Sequence, residues 1–175
     1  MDVEKAIRAR RTHKAYGPRE LDPAELEELF ELARWAPNHH LTNPWRFRVL
    51  GPATRRALME LAEAEKPGAA AKLARAPTLV CVSALLGGEE YPAQDREDLL
   101  ATAVAAYIVL LGAHARGLAS YWRTVSLLDD STQARELLGL GERESVLGLL
   151  YLGDPVQEQR VPERAPLEDL VSFLP

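Results

Sequence analysis

Leu99–Ala113 reads Leu-Leu-Ala-Thr-Ala-Val-Ala-Ala-Tyr-Ile-Val-Leu-Leu-Gly-Ala, and this stretch decides the fold. Its 15 residues carry no charge and lie between Asp98 and His114. The run is shorter than the ~18 residues expected of a membrane-spanning helix. We therefore predict a helix from about Ala93 to Arg116 that is buried on nearly every side, in a core or at a subunit interface.

Four further segments indicate strands around this helix. Residues 45–50 alternate apolar and basic side chains, as in a strand with one covered face, whereas the apolar run 79–85 indicates a strand covered on both faces. The other two strands are residues 118–123 and 145–152. Helices are predicted over residues 3–10, 23–36, 53–66, 69–75 and 131–138, with a turn over 87–92. The pattern predicts a mixed α and β class.

The end of the chain has a different character. Residues 156–166 are charged and interrupted by proline, and residues 167–174 then carry apolar side chains in a strand-like pattern. A strand at this position needs a free sheet edge, either in its own subunit or in another one.

Composition predicts one globular domain over residues 1–175. The chain is 47% hydrophobic and 27% charged, with a formal net charge of −5. This acidic balance argues against a nucleic-acid partner, since nucleic-acid-binding domains are usually basic. The first residues, Met-Asp-Val-Glu, are acidic where a signal or transit peptide would not be. With no membrane span and a single cysteine, Cys81, in an apolar segment, we expect a cytoplasmic protein.

Arg10-Arg11-Thr12-His13-Lys14, called the basic segment below, is a positive patch in this acidic chain. Arginine supplies a planar fork of donors, lysine a point charge and threonine a short hydroxyl, which together suit a small anion such as a phosphate ester. A purely structural role is equally open, because cations at the end of the helix over residues 3–10 complement its dipole. The residues alone do not decide between anion binding and a structural role at the end of the helix.

The sequence offers no pattern of side chains that would carry out a reaction by themselves. The four histidines include no i, i+4 pair suited to a metal, and there is no glycine-rich phosphate loop or nucleophile elbow. His39 and His40 read first as exposed loop residues, and Trp122 as a core or interface aromatic. Arg123 and Thr124 are more informative, since ligands often meet a sheet at strand ends. If the protein is an enzyme, a bound cofactor is expected to supply the chemistry.

Four segments, taken in order, resemble the FMN-dependent nitroreductase family, and most of all its short, minimal branch. Residues 10–16, Arg-Arg-Thr-His-Lys-Ala-Tyr, resemble the family's N-terminal Arg-x-Ser-x-(Arg/Lys)-x-Phe motif. Residues 36–47 resemble its signature of Ala-Pro, a polar loop and Gln-Pro-Trp leading into a strand. Tyr-Trp-Arg-Thr at 121–124 and Leu-Tyr-Leu-Gly-Asp-Pro at 150–155 match the later landmarks. The resemblance covers nearly the whole chain.

The resemblance implies an α+β fold, a nitroreductase-like sandwich with a central mixed sheet flanked by helices. It also implies an intertwined homodimer in which the helix containing residues 99–113 lies at the interface. The C-terminal segment would exchange as a strand with the other subunit. Two FMN molecules would lie at the interface, one in each active site.

The resemblance assigns cofactor-binding residues but no catalytic side chain and no metal ligand. Thr12 and its two preceding arginines would hold the phosphate and ribityl chain, and Lys14 would lie near the pyrimidine end of the ring, where a cation stabilises reduced flavin. His39 would come from the partner subunit. The full set is Arg10, Arg11, Thr12, Lys14, Trp35, His39, Trp122, Arg123 and Thr124.

The chain departs from the family pattern in places. Thr12 keeps the hydroxyl of the usual serine, and Tyr16 replaces phenylalanine. Asn43 stands where glutamine is usual, which leaves a shorter amide for any contact with ring or substrate. The loop over residues 87–92 is short, and this affects the substrate range more than the binding of the cofactor.

The resemblance implies an NAD(P)H-dependent flavin oxidoreductase. A hydride would pass from NADH or NADPH through FMN to an electron-poor acceptor such as a nitroaromatic or a quinone. Three alternatives remain open at this point: a specialised flavin enzyme for dehalogenation or metabolite oxidation, a non-catalytic flavin-binding protein, and a nucleic-acid partner that uses the basic segment.

Overall fold

The computed structural model describes residues 2–87 and 92–175. Its helices are α1 (Val3–Ala9), α2 (Pro23–Ala33), α3 (Pro52–Glu65), α4 (Ala69–Leu73), α5 (Pro92–Ala115), α6 (Leu127–Asp130) and α7 (Thr132–Leu137). Its strands are β1 (Trp45–Val49), β2 (Thr78–Leu85), β3 (Ala119–Arg123) and β4 (Glu144–Gly153), and short 3₁₀ helices span His39–Leu41 and Leu167–Asp169. All four predicted strands are confirmed to within a few residues, and α6 is a helix that the sequence did not indicate.

The strands form one sheet in the order β1-β2-β4-β3, and each neighbouring pair is antiparallel. The prediction of a mixed sheet is wrong for these four strands, because every pairing between them is antiparallel. The parallel pairing found in the described residues is an isolated bridge between Thr12 and Ser120 on the free edge of β3. The register between β2 and β4 shifts after Val82, where Gly148 has a φ of +133°. A Cβ on Gly148 would collide with the carbonyl oxygen of Arg123, so this glycine lets β3 and β4 approach closely.

Helices cover both faces of the sheet, which confirms the predicted α+β sandwich. Successive side chains of β2 face opposite sides of the sheet, as in any strand. Val80 and Val82 are buried with residues of α2 and α5, whereas Leu79 and Cys81 are buried with residues of α3, α4, α6 and α7. The prediction that β2 is covered on both faces is therefore confirmed.

Helix α5 packs against α2 and the sheet, as its apolar sequence predicted. Gly117, with a φ of +78°, ends it in the left-handed conformation expected at this position. By length and composition α5 could cross a membrane, but half of its most apolar window is buried inside the protein, as in a core helix. One face of α5 stays partly exposed, and along it lie Leu100, Val104, Tyr107, Ile108 and Leu111.

The strand-like interpretation of residues 167–174 is wrong for the single chain. The segment contains the short 3₁₀ helix Leu167–Asp169, followed by residues in no regular structure. An extended segment becomes a strand only when a neighbouring strand shares its backbone hydrogen bonds, and no strand in the described part of the chain is paired with residues 167–174. Phe173 and Leu174 are consequently 95% and 87% exposed. The predicted turn over residues 87–92 falls largely outside the described residues.

Candidate functional site

The basic segment lies along the free edge of β3. Besides the Thr12–Ser120 bridge, the backbone N–H of His13 donates to the carbonyl oxygen of Ser120 at 3.0 Å. Tyr16 closes the turn, since its hydroxyl donates to the His13 carbonyl oxygen at 2.8 Å. This anchoring places the cations beside the strand that carries Trp122 and Arg123.

The contacts of Arg10 and Arg11 bear on both roles that the sequence left open. Arg10 ends α1, its backbone N–H donating to the Ala6 carbonyl oxygen at 2.9 Å, and its guanidinium lies 5.7 Å from the ring centre of Tyr107. One Nη of Arg11 donates to the carbonyl oxygens of Arg8 at 2.7 Å and of Arg10 at 2.8 Å. Within residues 2–87 and 92–175, however, neither guanidinium pairs with a carboxylate, and both Nε atoms are buried without a hydrogen-bond partner.

A small polar cluster lies behind these arginines. Burial, together with the neighbouring His114 and Arg10, lowers the pKa of His13. Burial and the charges of Arg10 and Arg11 likewise lower the pKa of His114, at the end of α5. His13 Nδ1, His114 Nε2 and the hydroxyl oxygen of Ser120 are buried and have no partner in the described chain. His114 and Ser120 were missed because nothing in their spacing connects them to residue 13.

Trp122 and Arg123 point to opposite faces of the sheet at the end of β3. The Trp122 indole donates to the Leu147 carbonyl oxygen at 2.9 Å, and the Arg123 guanidinium donates to the Tyr151 hydroxyl at 3.1 Å. A cavity of about 130 Å³ lies beside this strand end, and its lining includes Arg123, Thr124, Lys66 and Lys72. The sequence did not indicate these two lysines, one directly after α3 and one in α4, which lie more than fifty residues from Arg123 in the chain.

Trp35 and His39 lie elsewhere in the single chain. His39 Nδ1 is 2.6 Å from a carboxylate oxygen of Glu97, near the start of α5, and Trp35 is 76% exposed. Glu97 and His114 are 17 residues apart on α5, which corresponds to about 25 Å along the helix. In one chain, therefore, His39 and the two arginines lie near opposite ends of α5.

The loop that carries His39 has a strained backbone. His40, Leu41 and Asn43 have φ values of +53°, +53° and +47°, a conformation that costs free energy in residues other than glycine. Hydrogen bonds within the loop hold it: the Asn43 backbone N–H donates to Asn38 Oδ1 at 2.9 Å, and the Asn43 side chain donates to the Leu41 carbonyl oxygen at 2.7 Å. The Asn43 side-chain amide is thus occupied inside its own loop.

The donors at the edge of β3 fit a phosphorylated cofactor. Among the residues that the structure describes, the two arginines have no carboxylate partner and their buried Nε atoms lack an acceptor, which, with the exposed Lys14, suits a bound phosphate. A metal has less support, because no three His, Cys, Asp or Glu side chains in the described ranges lie close enough to hold one. Burial raises the pKa of the Cys81 thiol to about 12, which makes it a poor nucleophile.

The fold defines the class: this is an α+β protein of nitroreductase-like architecture. Residues 7–154 match the model of the Nitroreductase family, and the chain belongs to that family. A crystal structure of a nitroreductase-like family protein from Bacillus cereus superposes with a TM-score of 0.88 at 22% identity, covering 99% of this chain and 96% of that one. The predicted family and fold are confirmed.

Two further relatives carry names that describe a reaction or a cofactor. An Archaeoglobus fulgidus protein, provisionally named NADH dehydrogenase/NAD(P)H nitroreductase, is 30% identical over 89% of this chain and 86% of its own length. A nitroreductase structure from Desulfovibrio desulfuricans was solved in complex with FMN; its TM-score is 0.80 at 24% identity, covering 99% of this chain and 96% of that one.

Proposed function

We propose that this protein is an NAD(P)H-dependent flavin oxidoreductase that reduces electron-poor small molecules such as nitroaromatics or quinones. The observation that carries the proposal is the cluster of cations at the edge of β3, which have no carboxylate partner within residues 2–87 and 92–175, in a chain of this family. We further propose that residues 1–175 act as one FMN-binding domain in the cytoplasm.

In this proposal Arg10, Arg11 and Thr12 hold the FMN phosphate and ribityl chain, and Lys14 lies near the pyrimidine end of the ring. When bound, FMN supplies the group that accepts a hydride from NAD(P)H and passes it on. The side chains orient the reactants, exclude water and place positive charge where negative charge develops. The cavity beside Arg123 adds the lysines at positions 66 and 72 to the candidates for this electrostatic role.

A second copy of the chain would complete the site. The exposed apolar face of α5 is a candidate interface. Around a two-fold axis, the same face of α5 from a second copy would pack against it and remove both from solvent. If two copies of α5 pack antiparallel with Leu100 against Leu111 and Val104 against Tyr107, the same register places Glu97 opposite His114. With a crossing angle of about 20°, as in many helix bundles, these ends stay close together.

This arrangement would bring His39 of one copy close to the basic segment of the other. His39 is bound to Glu97, and the charges of Arg10 and Arg11 contribute to lowering the pKa of His114. Across the two-fold axis, the loop that carries Trp35 and His39 would therefore face the basic segment of the partner. We propose that the protein is a homodimer for this reason, with residues 167–174 reaching toward the other subunit.

Val104→Lys tests the homodimer. Val104 lies near the proposed axis, is 40% exposed and would bring two lysines together against apolar side chains. We expect the variant to sediment as a monomer and to lose FMN, while its far-UV circular dichroism stays unchanged. Val49→Lys, at a 48% exposed position of β1, is the matched control and should remain dimeric. A dimeric Val104→Lys protein that keeps FMN would contradict the proposed interface.

The proposed activity is tested on the purified protein. We expect it to be yellow, or to become so with FMN, and to be reduced anaerobically by NADH or NADPH in a stopped-flow instrument. The reduced protein should then be reoxidised by nitroaromatics or quinones. Failure to bind FMN rejects the proposal. Bound FMN without reduction by either nucleotide would favour a non-catalytic flavin-binding protein, and reoxidation by only one class of acceptor would favour a specialised enzyme.

A further inference from the structure

A histidine–carboxylate pair joins two elements that the sequence keeps 58 residues apart. His39 Nδ1 lies 2.6 Å from Glu97 Oε2, while 56% of the His39 side chain remains exposed to solvent. We propose that His39, oriented by Glu97, donates the proton that the electron acceptor needs, an inference that rests on the function proposed above.

The surroundings fix the imidazole of His39. Its ring stacks on that of His40 with centroids 3.9 Å apart. The Thr42 hydroxyl donates to Asp98 Oδ1 at 2.6 Å, so that neighbouring residues of α5 hold the loop at two points. A carboxylate that accepts from Nδ1 fixes the tautomer and leaves Nε2 as the nitrogen that faces other molecules.

The reduction of a quinone needs a proton as well as a hydride, and the His39–Glu97 pair can supply that proton. Reducing a quinone to its hydroquinone turns both carbonyls into hydroxyls and requires one hydride, which NAD(P)H supplies, and one proton. Charged His39 would give that proton from Nε2: the Nε2–H bond breaks, the O–H bond forms, and neutral His39 keeps its proton on Nδ1. Because the side chain is half exposed, water can then return the proton to Nε2.

Glu97 is in this scheme a positioning residue, and it belongs to no group proposed to hold FMN. Glu97→Gln therefore tests the pair while His39 stays in place. Glu60→Gln, at an exposed position of α3, is the matched control for the loss of one negative charge. Nitrogen NMR of His39 provides a readout that does not depend on activity.

The experiment mixes reduced holoenzyme with either a benzoquinone or ferricyanide, which takes an electron without a proton. In Glu97→Gln we expect quinone reduction to slow by about 10- to 100-fold, less than the roughly 10²- to 10⁴-fold that a general acid contributes, because His39 itself remains in place. The rates with ferricyanide, the FMN content and reduction by NAD(P)H should stay within about twofold. The NMR spectrum should show His39 protonated on Nδ1 in the wild type and shifted toward Nε2 in the variant.

Three results would overturn the inference, and they can be told apart. Unchanged quinone reduction in Glu97→Gln rejects the proton donor. An equal loss with quinone and ferricyanide means that Glu97 only supports the loop. If the wild-type protein binds no FMN or is not reduced by NAD(P)H, the proposed function fails, and this inference fails with it.

Discussion

Replacing Arg10 and Arg11 together by alanine should weaken FMN binding by at least about 100-fold. A hydrogen bond between charged groups contributes about 1.5–3 kcal/mol, and about 1.4 kcal/mol corresponds to a tenfold change in affinity. Both guanidinium groups have no carboxylate partner in the described ranges, so the anion does not have to displace a competing side chain. Fluorescence quenching of FMN on titration with apoprotein measures the dissociation constant.

The matching substitutions by lysine separate the two roles of these arginines. Arg10→Lys with Arg11→Lys keeps two cations at the end of α1, where they complement the helix dipole, but removes the planar donor forks. We expect this pair to fold as the wild type does and to bind FMN with an affinity between the wild type and the alanine pair. Arg56→Ala, on the exposed side of α3, controls for the loss of surface charge. FMN affinity that survives the double alanine substitution would reject the phosphate assignment.

Local chemistry explains which parts of the fold could be predicted. The start of α2 follows from Asp22 and Glu25, since the Glu25 carboxylate accepts from the Asp22 backbone N–H at 2.9 Å. The end of α5 follows from Gly117, and the doubly covered β2 from its unbroken apolar run. Each of these signals lies within a few residues of the element that it determines.

Contacts between distant residues could not be predicted, because spacing along the chain carries no signal for them. The basic segment was visible because its cations are consecutive, but the cluster of His13, His114 and Ser120 forms only when α5 and β3 meet. The separation of His39 from the basic segment has a similar origin. Residue spacing alone does not indicate this separation, and the expectation that His39 comes from the partner subunit rests on the family resemblance.

Arg48 is an instructive case of an incomplete prediction. The alternation in residues 45–50 suggested that its basic side chains face solvent, but Arg48 turns inward and forms two bonds with Glu144, at 2.7 Å and 2.6 Å. The Ser83 hydroxyl also donates to Glu144, at 2.5 Å. This network joins β1, β2 and β4, and the side chain of Glu144 is only 10% exposed. The partner of Arg48 is 96 residues away, which explains why the pattern did not reveal it.

Glu144→Gln should therefore lower the free energy of unfolding by about 3 kcal/mol near neutral pH. Burial acts to raise the pKa of Glu144, but hydrogen bonds from Arg48 and Ser83 outweigh it and lower the pKa from 4.5 to about 2. Each pKa unit corresponds to about 1.36 kcal/mol, and removing one partner of a buried pair leaves the other charge unpaired. Urea unfolding followed by circular dichroism measures the change.

The pH dependence of that loss has a definite sign. Because the pKa is lower in the folded than in the unfolded protein, the stabilisation is complete above about 4.5 and disappears as the pH falls toward 2. The wild type and Glu144→Gln should therefore differ most near neutrality and converge in acid. Adding Arg48→Met should recover part of the lost stability, since it removes the unpaired charge. A difference that stays constant from pH 7 to about pH 2 would show that Glu144 stabilises the sheet through packing rather than through its charge.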